Sequence, residues 1–316
     1  MKAMTISEFG NPDVFSLNEM DKPKPGPGEV LVRVIASGTN PVDAKIRASG
    51  TWAQLAMPAI LGYDASGIIE ETGPGVQHFK KGDEVYYTPE IFGNSHGSYA
   101  EYNVVPASII DYKPANLSHN EASSVPLAGG TAWEAVIRRL KIQPGETILI
   151  HGGAGGVGSF AVQFAKAAGA RVIASAGTDN QKTLEELNVD IALNYREQNV
   201  IEETLKATNG EGINAVFDTA GGNINASLEA VKEGGRLATI LGVDGDLSSI
   251  SIKNLTLYGV FLTRENRRLQ EMRNLIEQGK VKPLIDQTLP LEQVAEAHKR
   301  LDTGHGRGKI VLKVSD

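Results

Sequence analysis

The sequence predicts an α/β fold in which a β-rich lobe is joined to a doubly wound parallel sheet. Three observations predict it. From Thr147 onward, short apolar runs rich in β-branched residues alternate with helical stretches, the rhythm of a parallel sheet covered on both faces. Residues 1–120 instead carry short strand-like runs cut by proline and glycine turns. After Leu262 the alternation breaks into two helices and a closing strand, so the tail is expected to return to the first lobe. This assigns residues 1–120 together with 265–316 to one domain and 121–264 to an inserted second domain.

The elements follow in chain order. Pro23, Pro25 and Pro27 form a stiff connector that cannot donate to a sheet. Residues 29–35 place Val30, Val32 and Val34 on one face of a strand. Asn40 then reads as an N-cap and Pro41 as the first residue of a short helix. Further strands are expected at 67–71, 85–87, 99–105 and 109–112. Ser118-x-x-Glu121 is a capping-box signature, and Thr131-x-x-Glu134 repeats it at the start of a helix reaching about Leu140. Strands are expected at 171–176, 191–194, 215–218, 235–241 and 257–262, with helices at 181–187 and 225–231. Leu269, Met272, Leu275 and Ile276 mark a helix that stops at Gly279, another helix covers 291–301, and residues 308–314 close the chain as a strand.

The most informative stretch lies between residues 147 and 168. An apolar strand is followed by Gly153-x-Gly155-x-x-Gly158, which opens a helix with Val157, Phe160, Ala161, Phe164, Ala165 and Ala168 on one face. In this setting the spacing is a dinucleotide fingerprint. Gly153 is expected to make the tight turn, Gly155 to admit a pyrophosphate, and Gly158 to let the helix approach the sheet. The free N–H groups and dipole of the first helical turn suit the phosphates.

Composition sets further bounds. The 41% hydrophobic and 22% charged content is that of an ordinary globular protein, and a formal charge of −7 provides no basic footprint for nucleic acid or anionic membrane. No run is long and apolar enough to span a bilayer, and the first ten residues have no signal-peptide core, so a cytoplasmic location is the expectation. Zero cysteines exclude disulfides, thiolate nucleophiles and cysteine-ligated zinc. The histidines, at 78, 96, 119, 151, 298 and 305, show no helical ligand spacing, and His96 reads as a solvated loop residue.

Six blocks occur in a familiar order: Ala36-Ser-Gly-Thr-Asn-Pro-Val-Asp43, Leu61-Gly-Tyr-Asp-Ala-Ser-Gly67, Lys81-Gly-Asp-Glu-Val85, Gly97-Ser-Tyr-Ala-Glu-Tyr102, Gly152–Gly158 and Gly308-Lys-Ile-Val-Leu312. Through them the chain resembles the medium-chain dehydrogenase/reductase superfamily over nearly its whole length, and most closely its zinc-free quinone oxidoreductase branch. The resemblance implies a GroES-like substrate domain and a Rossmann dinucleotide-binding domain. In zinc alcohol dehydrogenases of the superfamily, the positions matching Asn40 and Tyr63 are a cysteine and a histidine that bind catalytic zinc, with Ala128 about where a third ligand falls. No metal site is therefore expected.

Without a Lewis acid, acceptors that take hydride readily are favoured, because their negative charge delocalises onto oxygen. The expected activity is a zinc-independent, NADPH-dependent transfer of hydride to a quinone or related conjugated carbonyl. Two alternatives stay open: an NADPH-dependent enone or 2-alkenal reductase, and a non-catalytic NADPH-binding protein. Asn40 is the first catalytic candidate, as a donor to the acceptor oxygen, a role compatible with capping. Tyr63 is the second, as a phenol donor or a packed aromatic. Asp43 and Arg47 read as an i,i+4 surface pair, and Lys45 departs from the tyrosine often found in quinone reductases.

For the cofactor, the resemblance implies contacts from Gly153, Ala154, Gly155, Gly156, Val157 and Gly158, from Thr131 near the nicotinamide, and from Gly242, Phe261 and Leu262. The acidic residue that normally follows the loop by about 20 residues in NAD sites is missing. Small residues including Ser175 stand there, followed by Thr178, Lys182 and Tyr195-Arg196, a set suited to a 2′-phosphate. Asp179 dissents and is expected to point away or cap the next helix. The apolar stretch 254–262 reads as an unpaired sheet edge, which predicts a homodimer.

Overall fold

The computed structural model describes residues 1–315. A GroES-like lobe and a Rossmann lobe are both present. The Rossmann sheet has six parallel strands in the order Ile191–Asn194, Arg171–Ala176, Thr147–His151, Ile213–Asp218, Val231–Thr239 and Thr256–Gly259. The first strand in sequence is thus central, and the order reverses beside it, which places the crevice for a ligand at its C-terminal end. Alternation along Thr147–His151 builds both cores. Ile148 and Ile150 join Phe160, Phe164 and Trp133 on one face, while Leu149 joins Ile173, Val216 and Leu237 on the other. Trp133 meets Phe164 edge-on at 5.2 Å.

The first lobe is organised on the strand Glu29–Gly38, which pairs antiparallel with Ala65–Thr72, Tyr102–Pro106 and the C-terminal strand Lys309–Lys313. Val30, Val32 and Val34 bury one face together with Ile69, Val85 and Val105. The pairing of Val311 with Gly38 carries the tail back into this lobe, next to the segment that leads to Asn40. Strands Lys2–Ile6, Phe15–Glu19 and Ile285–Pro290 and the helix Val200–Ala207 add to the elements expected from sequence.

Several local expectations need correction. Thr131 does not open a helix. It lies inside the helix Pro126–Trp133, which starts on its proline, and its hydroxyl donates back to the Leu127 carbonyl at 2.7 Å. Glu134 turns to Arg139 at 2.9 Å rather than capping. The stretch 225–231 is a short helix, Ile224–Ser227, and Val231 already begins a strand, because its β-branched side chain is needed in the apolar face of the sheet. By contrast, Ser118 and Glu121 form the reciprocal capping box, with Ser118 N donating to Glu121 Oε2 at 2.8 Å. Among the described residues, no helix is long and apolar enough to cross a membrane.

Candidate active site

The glycine loop joins the central strand to the helix Gly156–Ala167. Gly152, not Gly153, makes the turn, with φ of +73°. A Cβ on Gly153 would lie 2.8 Å from the Ala174 Cβ, so Gly153 is small for sheet packing instead. A Cβ on Gly158 would fall 2.1 Å from the Gly152 carbonyl oxygen, which ties that glycine to close helix approach. The first N–H groups of the helix, at Gly156, Val157 and Gly158, have no intrahelical acceptors and suit an anion. The Ala154 carbonyl accepts from Gly308 N at 2.9 Å, so the C-terminal segment rests directly on this loop.

The next two strands end beside the loop. Ser175 is buried, with its hydroxyl 3.3 Å from His151 Nδ1. His151 also meets Ser227 at 2.9 Å, and burial lowers its pKa to about 4, opposed by Asp218. Tyr195 and Arg196 converge over Gly177: a Cβ there would lie 3.1 Å from Arg196 Nε and 3.3 Å from Tyr195 Oη. Thr178 is exposed and accepts from Asn194 Nδ2 at 3.0 Å. Lys182 extends into solvent 3.9 Å from Glu186. Asp179 is exposed, and the helix Gln181–Glu186 has no side-chain cap bond, so Asp179 points away rather than capping.

Across the crevice, Gly242 has open space where a Cβ would be, and Leu262 is buried. Phe261 is 56% exposed and meets Phe92 of the first lobe in a tilted pair with ring centroids 5.8 Å apart, and Phe92 meets Trp52 edge-on at 6.0 Å. Arg264 adds a polar link beside them, donating from Nε to the Pro89 carbonyl at 2.7 Å and pairing with Glu90 at 3.1 Å.

Asn40 lies in a buried polar cluster that sequence reasoning did not assemble. The Lys309 ammonium donates to the Thr39 carbonyl at 2.8 Å, to Asn40 Oδ1 and to Asp64 Oδ2 at 3.0 Å. Asn40 Nδ2 donates to the same Asp64 oxygen at 2.9 Å, and Leu127 N donates to Asp64 Oδ1 at 2.6 Å. Burial raises the Asp64 pKa and the Lys309 charge opposes it, while the surrounding donors hold the group as an acceptor. Asn40 still starts the helix Pro41–Ser49, since its N–H donates to Asp43 Oδ2 at 2.8 Å.

Tyr63 is fully buried, and its hydroxyl and Arg264 Nη2 have no hydrogen-bond partner among the described residues. Burial first, and then Asp43, raise the Tyr63 pKa, so the phenol stays a neutral donor. Asp43 and Arg47 are not a surface pair. Both are buried; Arg47 reaches Asp302 at 3.0 Å, and Asp43 accepts from Tyr99 Oη at 2.8 Å. Tyr99 also meets His298 Nε2 at 3.2 Å. Lys309 lies in the Gly308–Leu312 segment and Asp64 beside Tyr63, but no spacing rule links residues so distant in sequence. His96 is exposed, as expected. Among the described residues, no group of three or more His, Cys, Asp or Glu could hold a metal ion.

Comparison with known proteins agrees with this architecture. A family profile described as an alcohol dehydrogenase GroES-like domain matches residues 26–115, and one described as a zinc-binding dehydrogenase matches residues 187–312. The chain is 32% identical to the human quinone oxidoreductase over 326 residues, covering 99% of this chain and 97% of that one. It is also 32% identical to the chloroplastic NADPH-dependent alkenal/one oxidoreductase of Arabidopsis thaliana, covering 99% of this chain and 79% of the relative. The Escherichia coli quinone oxidoreductase complexed with NADPH superimposes with a TM-score of 0.89 at 27% identity, covering 99% and 100% of the two chains. The chain is an oxidoreductase and belongs to the medium-chain dehydrogenase/reductase superfamily, in its quinone oxidoreductase branch.

Proposed function

We propose that this protein is a zinc-independent oxidoreductase that uses NADPH to reduce a quinone or a related conjugated carbonyl. The observation that carries the reading is the contact between the glycine loop and the tail: Gly308 bonds to Ala154, and the next residue, Lys309, reaches Asn40 and Asp64. The phosphate-holding loop and the polar end of the substrate lobe thus meet at one place. Relatives named for quinone and for alkenal/one reduction, and an NADPH-bound structural neighbour, support the same chemistry.

The residues do not fit a catalytic zinc, although one matching family profile is described as zinc-binding. An amide and a phenol stand at the ligand positions implied by the resemblance. Asn40 Oδ1 and Asp64 Oδ2 are already bound by an ammonium, and Asp64 Oδ1 by the Leu127 N–H. No step is therefore assigned to a metal.

NADPH, when bound, supplies the hydride. The chain supplies the rest. The helix start at Gly156 holds phosphate, and Tyr195 and Arg196 fit a 2′-phosphate. Trp52, Phe92 and Phe261 offer flat apolar surface at the crevice mouth, suited to a planar conjugated acceptor. The remaining N–H of Asn40 and the Tyr63 hydroxyl are the donors for an oxygen gaining charge, in a site with little water to compete.

A second reading, preference for enones or 2-alkenals, draws support from the exposed Lys45 at the position of the quinone-reductase tyrosine and from the alkenal/one relative. The test is loss of NADPH absorbance across a panel of quinones, 2-alkenals and cyclic enones. Turnover is expected with at least one class; its absence with all three would end the proposal.

A further inference from the structure

We infer that Lys309 is a positioning residue that fixes the orientation of the Asn40 amide, so that one of its N–H groups is presented to the acceptor oxygen. This rests on the reading of Asn40 as a donor in the proposed reduction. The inference follows from which groups can donate and which can accept. An ammonium only donates, so the amide edge that faces Lys309 must be Oδ1. A carboxylate only accepts, so the edge that faces Asp64 must be Nδ2, at 2.9 Å. With both partners in place the amide has one allowed orientation. One of its two N–H groups is spent on Asp64, and the other has no partner among the described residues.

All three Lys309 donors are occupied, by Thr39, Asn40 and Asp64, so the ammonium acts on a substrate only through what it holds. Its charge also polarises the amide to which it donates, which makes the free N–H a better donor. The cluster is buried: Asn40 is 1%, Asp64 0% and Lys309 4% exposed. Water therefore cannot easily replace a lost partner. The stem of Lys309 lies along the glycine loop, with its Cδ 3.2 Å from where a Cβ on Gly156 would stand. The residue that orients the amide is thereby anchored to the element that holds the cofactor.

Two measurements test this on the full chain. The first does not need turnover. The side-chain NH2 resonances of Asn40, assigned by their loss in Asn40→Ala, are followed in 15N-labelled wild type, Lys309→Met and Lys309→Gln. A fixed amide shows two sharp, well-separated protons in wild type; both variants are expected to shift or broaden them, and unchanged resonances would overturn the inference.

The second is a double-mutant cycle in kcat with NADPH and 9,10-phenanthrenequinone, repeated with trans-2-hexenal. Lys309→Met is expected to lower kcat about 10- to 100-fold, the scale of a misdirected oxyanion donor, with NADPH Kd changed less than about 3-fold. In the Asn40→Ala background the same substitution is expected to have little further effect. Additive losses, or a loss confined to KM, would leave Lys309 a merely structural residue. The neutral Lys309→Gln, one atom shorter but polar, serves if the methionine variant does not fold. Absence of wild-type turnover with both acceptors would count against the proposed function, while the amide resonances would still decide the role of Lys309.

Discussion

Tyr99 Oη donates to Asp43 Oδ2 at 2.8 Å, and neither side chain has any exposure. This contact puts a carboxyl in the core where sequence spacing had suggested a surface ion pair. Burial drives the Asp43 pKa up to about 7, with the Tyr99 and Asn40 hydrogen bonds and Lys309 only partly opposing it.

A pH dependence of stability follows. A folded-state pKa of about 7 against an ordinary 3.8 means the folded chain holds a proton here that the unfolded chain releases. The contribution is fully present below the unfolded pKa and is lost as pH rises through 7. The stability of wild type relative to Asp43→Asn should therefore fall between pH 4.5 and 7.5, as read by thermal unfolding at several pH values; a constant or rising difference would refute it. Buried His298, whose pKa burial lowers to about 3, has the opposite slope below its ordinary 6.5, so the comparison must be made as a difference between variants.

Cofactor choice is expected to depend on Arg196. Its guanidinium lies with Tyr195 over Gly177, whereas Lys182 is held only loosely in solvent near Glu186. Arg196→Ala should weaken NADPH binding by about 1.5–3 kcal/mol, the scale of a charge-assisted contact, with little effect on NADH. Lys182→Ala should cost less, about 0–1 kcal/mol, as for an exposed charge. Titrating both cofactors against each variant checks this. Equal weakening of NADPH and NADH would mean that the 2′-phosphate is held elsewhere.

Purified protein is expected to contain no stoichiometric zinc by elemental analysis, and chelators should leave its activity intact. The reason is the occupied cluster around Lys309, not the lack of cysteine alone. Near one zinc per chain would contradict it.

The strand Thr256–Gly259 ends the six-stranded sheet and pairs with only one neighbour among the described residues. Ile252 and Phe261, on either side of it, are 76% and 56% exposed. An edge of this kind is expected to pair with its copy, giving a homodimer by light scattering at micromolar concentration. Gly259→Pro should shift it toward monomer, since the Val260 N–H donates inward to the Thr239 carbonyl at 2.8 Å, the alternation turns the Gly259 N–H outward, and proline removes that edge donor. A monomeric wild type would rule out the pairing.

The sequence by itself determined the features that depend on neighbours along the chain. The glycine loop, the strands Arg171–Ala176 and Ile191–Asn194 and the Ser118–Glu121 capping box were legible because turn, periodicity and cap are set within a few residues. The same local logic misjudged Thr131 and residues 225–231, where helix continuity and sheet packing outweighed the local signal. Tertiary structure alone decided the candidate site. Lys309 meets Asn40 and Asp64 because the tail strand pairs with Glu29–Gly38, and Asp43 meets Tyr99 because the helix Pro41–Ser49 shares one core with the segment that carries Tyr99. Such contacts join residues whose separation in sequence has no period to read. Their energies depend on burial, which removes competing water and makes each partner's donor or acceptor character decisive.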